Sequence, residues 1–150
     1  MPQSLSQIYI HLFSTKNRQP FISDTIGPDL YAYMASVFHD ECKSPAKLIR
    51  GVEDHVHILF NLARTWAVAD VVEAIKTSSS KWMKTKGENL HSFQWQTGYG
   101  AFSVSRSHIE KVMDYIRNQK EHHRKSGFQD EFRGLLKKYD VEYDERYVWD

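Results

Sequence analysis

The fold is decided by the stretch Gly51-Val52-Glu53-Asp54-His55-Val56-His57-Ile58-Leu59-Phe60. It sets two histidines two positions apart in an apolar run, directly after an acidic pair that is typical of a tight turn. Alternate side chains of a β-strand point to the same face, so His55 and His57 project together while Val56 and Ile58 face the other side. Two imidazoles held side by side form half of a metal site. Such a pair alone is more often an ordinary hydrogen-bonded group, since a metal site needs further ligands.

The residues around this stretch predict an antiparallel sheet. Lys47 to Val52 and His55 to Asn61 have the pattern of two strands, and the Glu53-Asp54 turn between them makes a hairpin. Leu5 to Phe13 alternates and predicts the first strand. The aromatic segment Tyr99 to Val104 predicts a further strand.

Three amphipathic segments predict helices that flank the sheet. They run from about Ile26 to His39, capped by Ser23 or Asp24, from Ala67 to Lys84, and from Ser107 to about His123. The residues at core spacing are Leu30, Tyr33, Met34 and Val37 in the first, Val68, Val71, Val72, Ile75 and Trp82 in the second, and Ile109, Val112, Met113 and Ile116 in the third. Phe128 to Leu136 suggests a further short helix. The fold class is therefore α+β, with an antiparallel sheet of four to five strands flanked by helices.

The length and amino-acid composition of the chain indicate one globular domain over residues 1–150. The chain is 41% hydrophobic and 26% charged, which is the composition of an ordinary folded protein. No apolar stretch approaches the roughly 18 residues of a membrane span, and no signal peptide is expected. Cys42 is the lone cysteine, so a disulfide within the chain is excluded and a reducing cytoplasm is the expected location.

Charge is distributed unevenly along the chain. The aromatic tail from Tyr139 holds five acids and one base, which leaves 14 acids and 19 bases in residues 1–138. A basic body is compatible with a phosphate-bearing partner, although a mixed solvated surface explains it equally well. The second helix ends in Lys76-Thr77-Ser78-Ser79-Ser80-Lys81-Trp82-Met83-Lys84-Thr85-Lys86, whose lysines and hydroxyls either contact phosphates or form a solvated face.

The third helix supplies the residues that would complete the histidine half-site. Ser107 and Glu110 have the spacing of a capping box at its start. At about 100° per residue, Tyr115 and Gln119 fall together at the edge of the core stripe. Gln119 can give a metal its side-chain oxygen, and Tyr115 can supply a phenolate nucleophile. Taken alone, Tyr115 would more often be an amphipathic residue at a core boundary.

Together these motifs resemble the HUH single-strand-DNA endonucleases, named for His-hydrophobic-His, and within them the single-tyrosine transposases of bacterial insertion sequences. The resemblance covers nearly the whole chain. The segment 55–59 is similar to the HUH strand, His11 to Arg18 to the opening strand and basic turn, and Tyr115-Ile116-Arg117-Asn118-Gln119 to the nucleophile helix. The His-hydrophobic-His motif alone is weak evidence for this family. Together with a Tyr-x-x-x-Gln motif on a helix near the end of the chain, it is specific.

The resemblance implies a mechanism and partners. His55, His57 and Gln119 would bind a divalent ion, Mg²⁺ or Mn²⁺, and Tyr115 would attack single-stranded DNA to leave a 5′-phosphotyrosine and a free 3′-hydroxyl. It also implies a ferredoxin-like, RNA-recognition-type sheet, a homodimer, DNA hairpins at the element's ends, and a bacterial cytoplasmic location in contact with the nucleoid. Candidate DNA contacts are Lys16, Arg18, Lys76, Lys81, Lys84 and Arg117.

Three alternatives stay open from the sequence. A non-catalytic nucleic-acid-binding module would use Trp95, Tyr99 and Phe102 as a stacking platform. A small metal hydrolase acting on nucleotides would not need the tyrosine. A transposase-like protein of repetitive palindromic elements would share the histidines but usually carries Asn-Pro where this chain has Asn118-Gln119.

Overall fold

The computed structural model describes residues 8–97, 100–104, 107 and 109–118. In chain order the described elements are β1 (Ile8–Ser14), α1 (Gly27–Ser36), β2 (Ala46–Val52), β3 (His55–Asn61), α2 (Val68–Lys84), β4 (Gly100–Val104) and α3 (Ile109–Arg117). Short 3-10 turns occupy Lys16–Arg18 and Glu88–Leu90.

The described strands form one sheet in the spatial order β2-β3-β1-β4, with every neighbouring pair antiparallel. The predicted hairpin is present, because Val52 pairs with His55 across the two-residue turn Glu53-Asp54. An antiparallel sheet with flanking helices is therefore confirmed.

The hairpin needs a glycine just before its turn. A Cβ on Gly51 would lie 2.5 Å from the carbonyl oxygen of His55 and 2.8 Å from the hydroxyl of Tyr31. Tyr31 belongs to α1, and its burial raises the pKa of its hydroxyl to about 12. The missing side chain thus lets α1 approach the strand that precedes the histidines.

One face of the sheet packs against α1 and α2. Val56, Ile58 and Phe60 of β3 are fully buried there, as the alternation of β3 predicts. Their buried partners from the two helices include Leu30, Met34, Val37, Val71, Val72, Ile75 and Met83. The packing of this face against α1 and α2 holds β3 in place, and the histidines of β3 lie on the opposite face of the sheet.

The opposite face is covered by α3, which contacts β2 and β3. Leu48 pairs with Leu59 across these strands, and both are buried. Val112 and Ile116 of α3 are buried as well, as predicted. A short apolar layer therefore holds α3 on the face of the sheet that carries the histidines.

Two predictions about helix α1 and helix α2 need correction. The α-helix that was predicted to reach His39 ends at Ser36 and continues as a π-helical turn over Val37–Glu41. The wider turn lets the consecutive residues Val37 and Phe38 both reach the core. In α2 the predicted core residues Val68 and Trp82 are only partly buried, and Ser79 and Met83 are buried instead. Trp82 stacks on Tyr33 at the edge of the helix pair.

Several predictions fall outside the described residues. These are the part of the first strand before Ile8, the continuation of α3 beyond Asn118 with Gln119, the short helix after Phe128 and the tail from Tyr139. Among the helices that are described, none is long and apolar enough to cross a membrane.

Candidate functional site

The two histidines lie together on β3, as their spacing predicts. The side chains of His55 and His57 are each 1% exposed, and their ring centres are 5.3 Å apart with the rings nearly perpendicular. Burial, and secondarily the neighbouring His55, holds the pKa of His57 well below its usual value. His57 is therefore neutral near pH 7, which is the form of imidazole that binds metals.

Asp54 contacts the first of these histidines from the hairpin turn. Its Oδ1 atom is 2.7 Å from Nδ1 of His55, and its side chain is 15% exposed. On the other side, Arg18 places Nη1 3.9 Å from Oδ2 of the same carboxylate. The basic turn after β1 is thus linked to the histidine pair through one aspartate.

Tyr115 lies against the second histidine from α3. Its ring centre is 5.7 Å from that of His57, and the rings meet edge to face at 89°. The Tyr115 hydroxyl oxygen is buried, while the residue as a whole is partly exposed. The predicted position at the edge of the α3 core stripe is what brings the phenol onto the histidine face.

The donor set fits a divalent metal in part. Two imidazoles that bind one ion through nitrogen atoms at about 2.1 Å have ring centres about 5 Å apart, close to the separation of His55 and His57. Within the described part of the chain, no group of three His, Cys, Asp or Glu residues could hold a metal ion. The predicted third ligand, Gln119, lies outside the described residues.

Two of the predicted DNA-contacting lysines hold the protein's own backbone. Lys76 donates from Nζ to the carbonyls of Gln96 and Thr97 at 2.7 and 3.2 Å, and burial lowers its pKa to about 8. Lys84 donates to the carbonyl of Phe93 at 2.8 Å and to Ser80 Oγ at 2.8 Å. Both lysines thereby fasten α2 to the segment that leads towards β4.

The other predicted DNA contacts lie closer to solvent. Lys16 and Lys81 are exposed, on the turn after β1 and on α2 respectively. Arg117 is exposed and pairs with Asp114 at 3.1 Å. Their contact with DNA stays a prediction.

Trp95 is a core residue in this structure. It is 9% exposed, meets Phe93 edge to face at 4.9 Å, and donates from Nε1 to Ser79 Oγ at 2.9 Å. Tyr99 lies outside the described residues, and Phe102 is described only through its position in β4. A stacking platform built on Trp95 is therefore not available to a nucleic acid.

Sequence reasoning missed the role of Asp54 and of Ser79. The sequence pattern assigns Asp54 only to an acidic turn, although its position directly before the first histidine is a usable signal. The sequence pattern groups Ser79 with other hydroxyls as a candidate phosphate contact. Its spacing four residues after Ile75 and four before Met83 places it in the buried stripe.

Solved structures resemble this fold. One is a protein assigned as a transposase from Deinococcus radiodurans R1, with a TM-score of 0.59, 21% identity, and coverage of 76% of this chain and 91% of that one. Another is a REP-associated tyrosine transposase bound to a REP hairpin, with a TM-score of 0.61, 12% identity, and coverage of 79% and 68%. At these identities the likeness concerns the fold.

The family model described as "Transposase IS200 like" matches residues 4–119, so the chain belongs to the IS200-like transposase family. Its function is accordingly that of a transposase, which confirms the resemblance inferred from the motifs. A search of curated proteins finds no match.

Proposed function

We propose that this transposase cuts and rejoins single-stranded DNA through a covalent bond to Tyr115, assisted by a divalent ion at His55, His57 and Gln119. The observation that carries the proposal is the edge-to-face contact of Tyr115 with His57. Tyr115 is the one residue of Ile109–Arg117 that has a hydroxyl group, and this contact brings it beside the histidine pair. The family supports DNA strand transfer in general terms.

The reaction is balanced without ATP. The phenol of Tyr115 gives up its proton to solvent, its oxygen bonds to the phosphorus, and the bond from phosphorus to the 3′ oxygen breaks. The departing oxygen takes up a proton and becomes a 3′-hydroxyl. Rejoining reverses these steps with another 3′-hydroxyl, so the energy of the phosphodiester is kept in the tyrosine link.

The residues around the nucleophile have separate tasks. When bound, the divalent ion supplies charge neutralisation on the phosphate oxygens, where negative charge builds up. His55 and His57 hold that ion from the strand, with Gln119 as the third protein ligand, and Mg²⁺ and Mn²⁺ both suit such a mixed set with open positions. Burial of both imidazoles keeps competing water away from them.

The partner and the assembly belong to the same proposal. The REP-associated neighbour was solved with a hairpin, which supports DNA hairpins at the element's ends as ligands of this chain. We further propose a homodimer and a ferredoxin-like, RNA-recognition-type topology for the whole domain. The β-α-β-β-α-β order with strands arranged β2-β3-β1-β4 supports the topology. We also propose the predicted location in the bacterial cytoplasm, because the protein must reach such DNA there.

Formation of a covalent adduct tests this proposal. Purified protein is incubated with single-stranded oligonucleotides tiled across both flanks of its gene, with Mg²⁺ or Mn²⁺, and run on a denaturing gel. We expect an adduct with wild type and none with Tyr115→Phe, because the variant keeps the ring but has no oxygen to bond to phosphorus.

Tyr33→Phe is the matched control. It also removes one phenolic hydroxyl, but from α1 on the other side of the sheet, where Tyr33 stacks on Trp82. The control should form the adduct like wild type. An adduct that Tyr115→Phe forms as efficiently as wild type would contradict the proposal.

A further inference from the structure

The carboxylate of Asp54 has a fixed relation to one nitrogen of His55. Its Oδ1 atom is 2.7 Å from Nδ1, a hydrogen-bond distance, in a pair whose histidine side chain is 1% exposed. An ionised carboxylate only accepts hydrogen bonds. The bond therefore places a hydrogen on Nδ1, and in the neutral imidazole, which is the form that binds a metal, the lone pair of His55 is then on Nε2.

Asp54 is itself held in place from two directions. Its backbone carbonyl accepts a hydrogen bond from the N–H of Thr15 at 2.9 Å. Arg18 lies 3.9 Å from its second carboxylate oxygen. Because Asp54 also occupies a two-residue turn between paired strands, its carboxylate has little freedom to leave His55.

We propose that Asp54 is a positioning residue that selects the nitrogen with which His55 binds the metal. The carboxylate holds the hydrogen on Nδ1, fixes the orientation of the ring and makes Nε2 the metal-binding atom. A carboxylate behind a ligating histidine also makes the imidazole a better donor. The inference rests on the proposed metal-binding function of His55 and His57 and extends it to a residue that does not touch the metal.

The chain contains a natural control for this pair. His39 and Asp40 make the same contact, with Asp40 Oδ1 2.8 Å from His39 Nδ1, but their side chains are 74% and 76% exposed. The chemistry of the two pairs is alike, while only the pair at positions 54 and 55 adjoins a second buried histidine. A substitution at Asp40 therefore removes an equivalent hydrogen bond without touching the site.

The first measurement is the affinity of the metal-free full chain for Mn²⁺ in the absence of DNA, followed through the EPR signal of free Mn²⁺. Asp54→Asn should weaken binding by about 10- to 100-fold, the usual effect of losing such a partner. Asp40→Asn should leave the affinity at the wild-type value. Thermal unfolding of both variants shows whether the fold is kept.

The second measurement is the position of the hydrogen on His55, read from two-bond ¹⁵N–¹H correlations in metal-free protein labelled at histidine. Wild type should carry it on Nδ1. In Asp54→Asn the side-chain amide can accept from Nδ1 or donate to it, so the form with the hydrogen on Nε2 should appear. A residue with a merely structural role in the turn would not move this signal.

The outcomes separate the inference from the function on which it rests. Wild type that carries the hydrogen on Nε2, or Asp54→Asn with unchanged hydrogen position and Mn²⁺ affinity, overturns the role of Asp54 while leaving the metal site intact. Wild type with Nδ1 protonated but no affinity for Mn²⁺ overturns the proposed metal site, and the role of Asp54 falls with it.

Discussion

Lys76 places an ammonium group against two backbone carbonyls at a half-buried position, where charge is unfavourable. Burial lowers its pKa from 10.5 to about 8. The unfolded chain therefore keeps this proton up to about pH 10.5, whereas the folded chain releases it near pH 8. Between these values the unfolded state binds more protons, so raising the pH favours the folded state through this group.

We expect the free energy of unfolding of wild type, measured relative to Lys76→Met, to rise between about pH 8 and 10.5 and to be level below pH 8. The free energies of the two proteins are compared because other groups also titrate at high pH. Burial raises the pKa of Cys42 to about 11 and that of Tyr31 to about 12, and the effect of both groups is the same in wild type and in the variant. Urea unfolding at a series of pH values measures it. A level difference across the whole range would show that the pKa of Lys76 is not lowered.

Gly51 is a residue whose side chain must be absent. A Cβ there would lie 2.5 Å from the carbonyl oxygen of His55, and this is backbone that cannot rotate away. We expect Gly51→Ala to lower the free energy of unfolding by about 1–3 kcal/mol. Because the same shift moves His55, Mn²⁺ affinity should fall as well.

Gly27→Ala is the comparison for this prediction. A Cβ at Gly27 meets nothing closer than the Tyr31 hydroxyl at 3.4 Å, at the start of α1. Alanine should be tolerated there with little change in unfolding free energy. Equal stability of the Gly51→Ala and Gly27→Ala proteins in urea titrations would refute the steric argument.

For single residues, the sequence predicts the face of a strand or helix on which a side chain lies, because that face follows from the period of the element. The common face of His55 and His57, the opposite orientation of Val56, and the edge position of Tyr115 all follow from repeats of 2 and 3.6 residues. These periods give Asp54 no partner, although its position directly before His55 is a local signal for the contact. Which partner a turn carboxylate chooses depends on the register of the hairpin and on a turn from β1 that is distant in sequence.

Among the elements, α2 and the segment after it are joined by a polar contact inside an apolar layer. Ser79 Oγ accepts from Trp95 Nε1 at 2.9 Å and donates to the carbonyl of Ile75 at 2.6 Å. Lys76 and Lys84 add bonds from the same helix to the carbonyls of residues 93, 96 and 97. The segment before β4 is therefore fastened to α2 along three turns of the helix.

Ser79→Ala should cost about 1–3 kcal/mol in unfolding free energy, because it leaves the buried indole N–H of Trp95 without its acceptor. Trp95→Phe removes the donor, so the double variant with Ser79→Ala should be less destabilised than the sum of the two single variants. Chemical unfolding of the four proteins gives this coupling. Strict additivity would mean that the bond contributes nothing.

The helices and strands themselves were largely predictable from the sequence, but the end of α1 was not. Strand β3 has the predicted bounds and α2 begins one residue later than predicted. The end of α1 was missed, because periodicity of 3.6 residues gives no sign of a π-helical turn. That turn arises when two neighbouring apolar residues, Val37 and Phe38, are both drawn into one core.

For the whole molecule, one chain contains both sides of the site within the described residues, since Tyr115 contacts His57 of its own chain. We expect that mixing His57→Ala protein with Tyr115→Phe protein does not restore the covalent DNA adduct. A tagged copy of each variant, purified as a mixed dimer, makes the measurement clean. Recovery of the adduct in the mixed dimer would show that the tyrosine acts on the partner's histidines.

The position of β1 has a consequence for the order in which this protein is made. β1 is the first described strand and lies inside the sheet, where it pairs with β3 and then with β4, as far apart as Ile8 and Val104. Contacts this distant in sequence slow folding, and α3 comes later still. A growing chain on the ribosome contains its histidine pair before Tyr115 is made. Translation that stops before α3 yields a protein that has the histidine pair but lacks Tyr115.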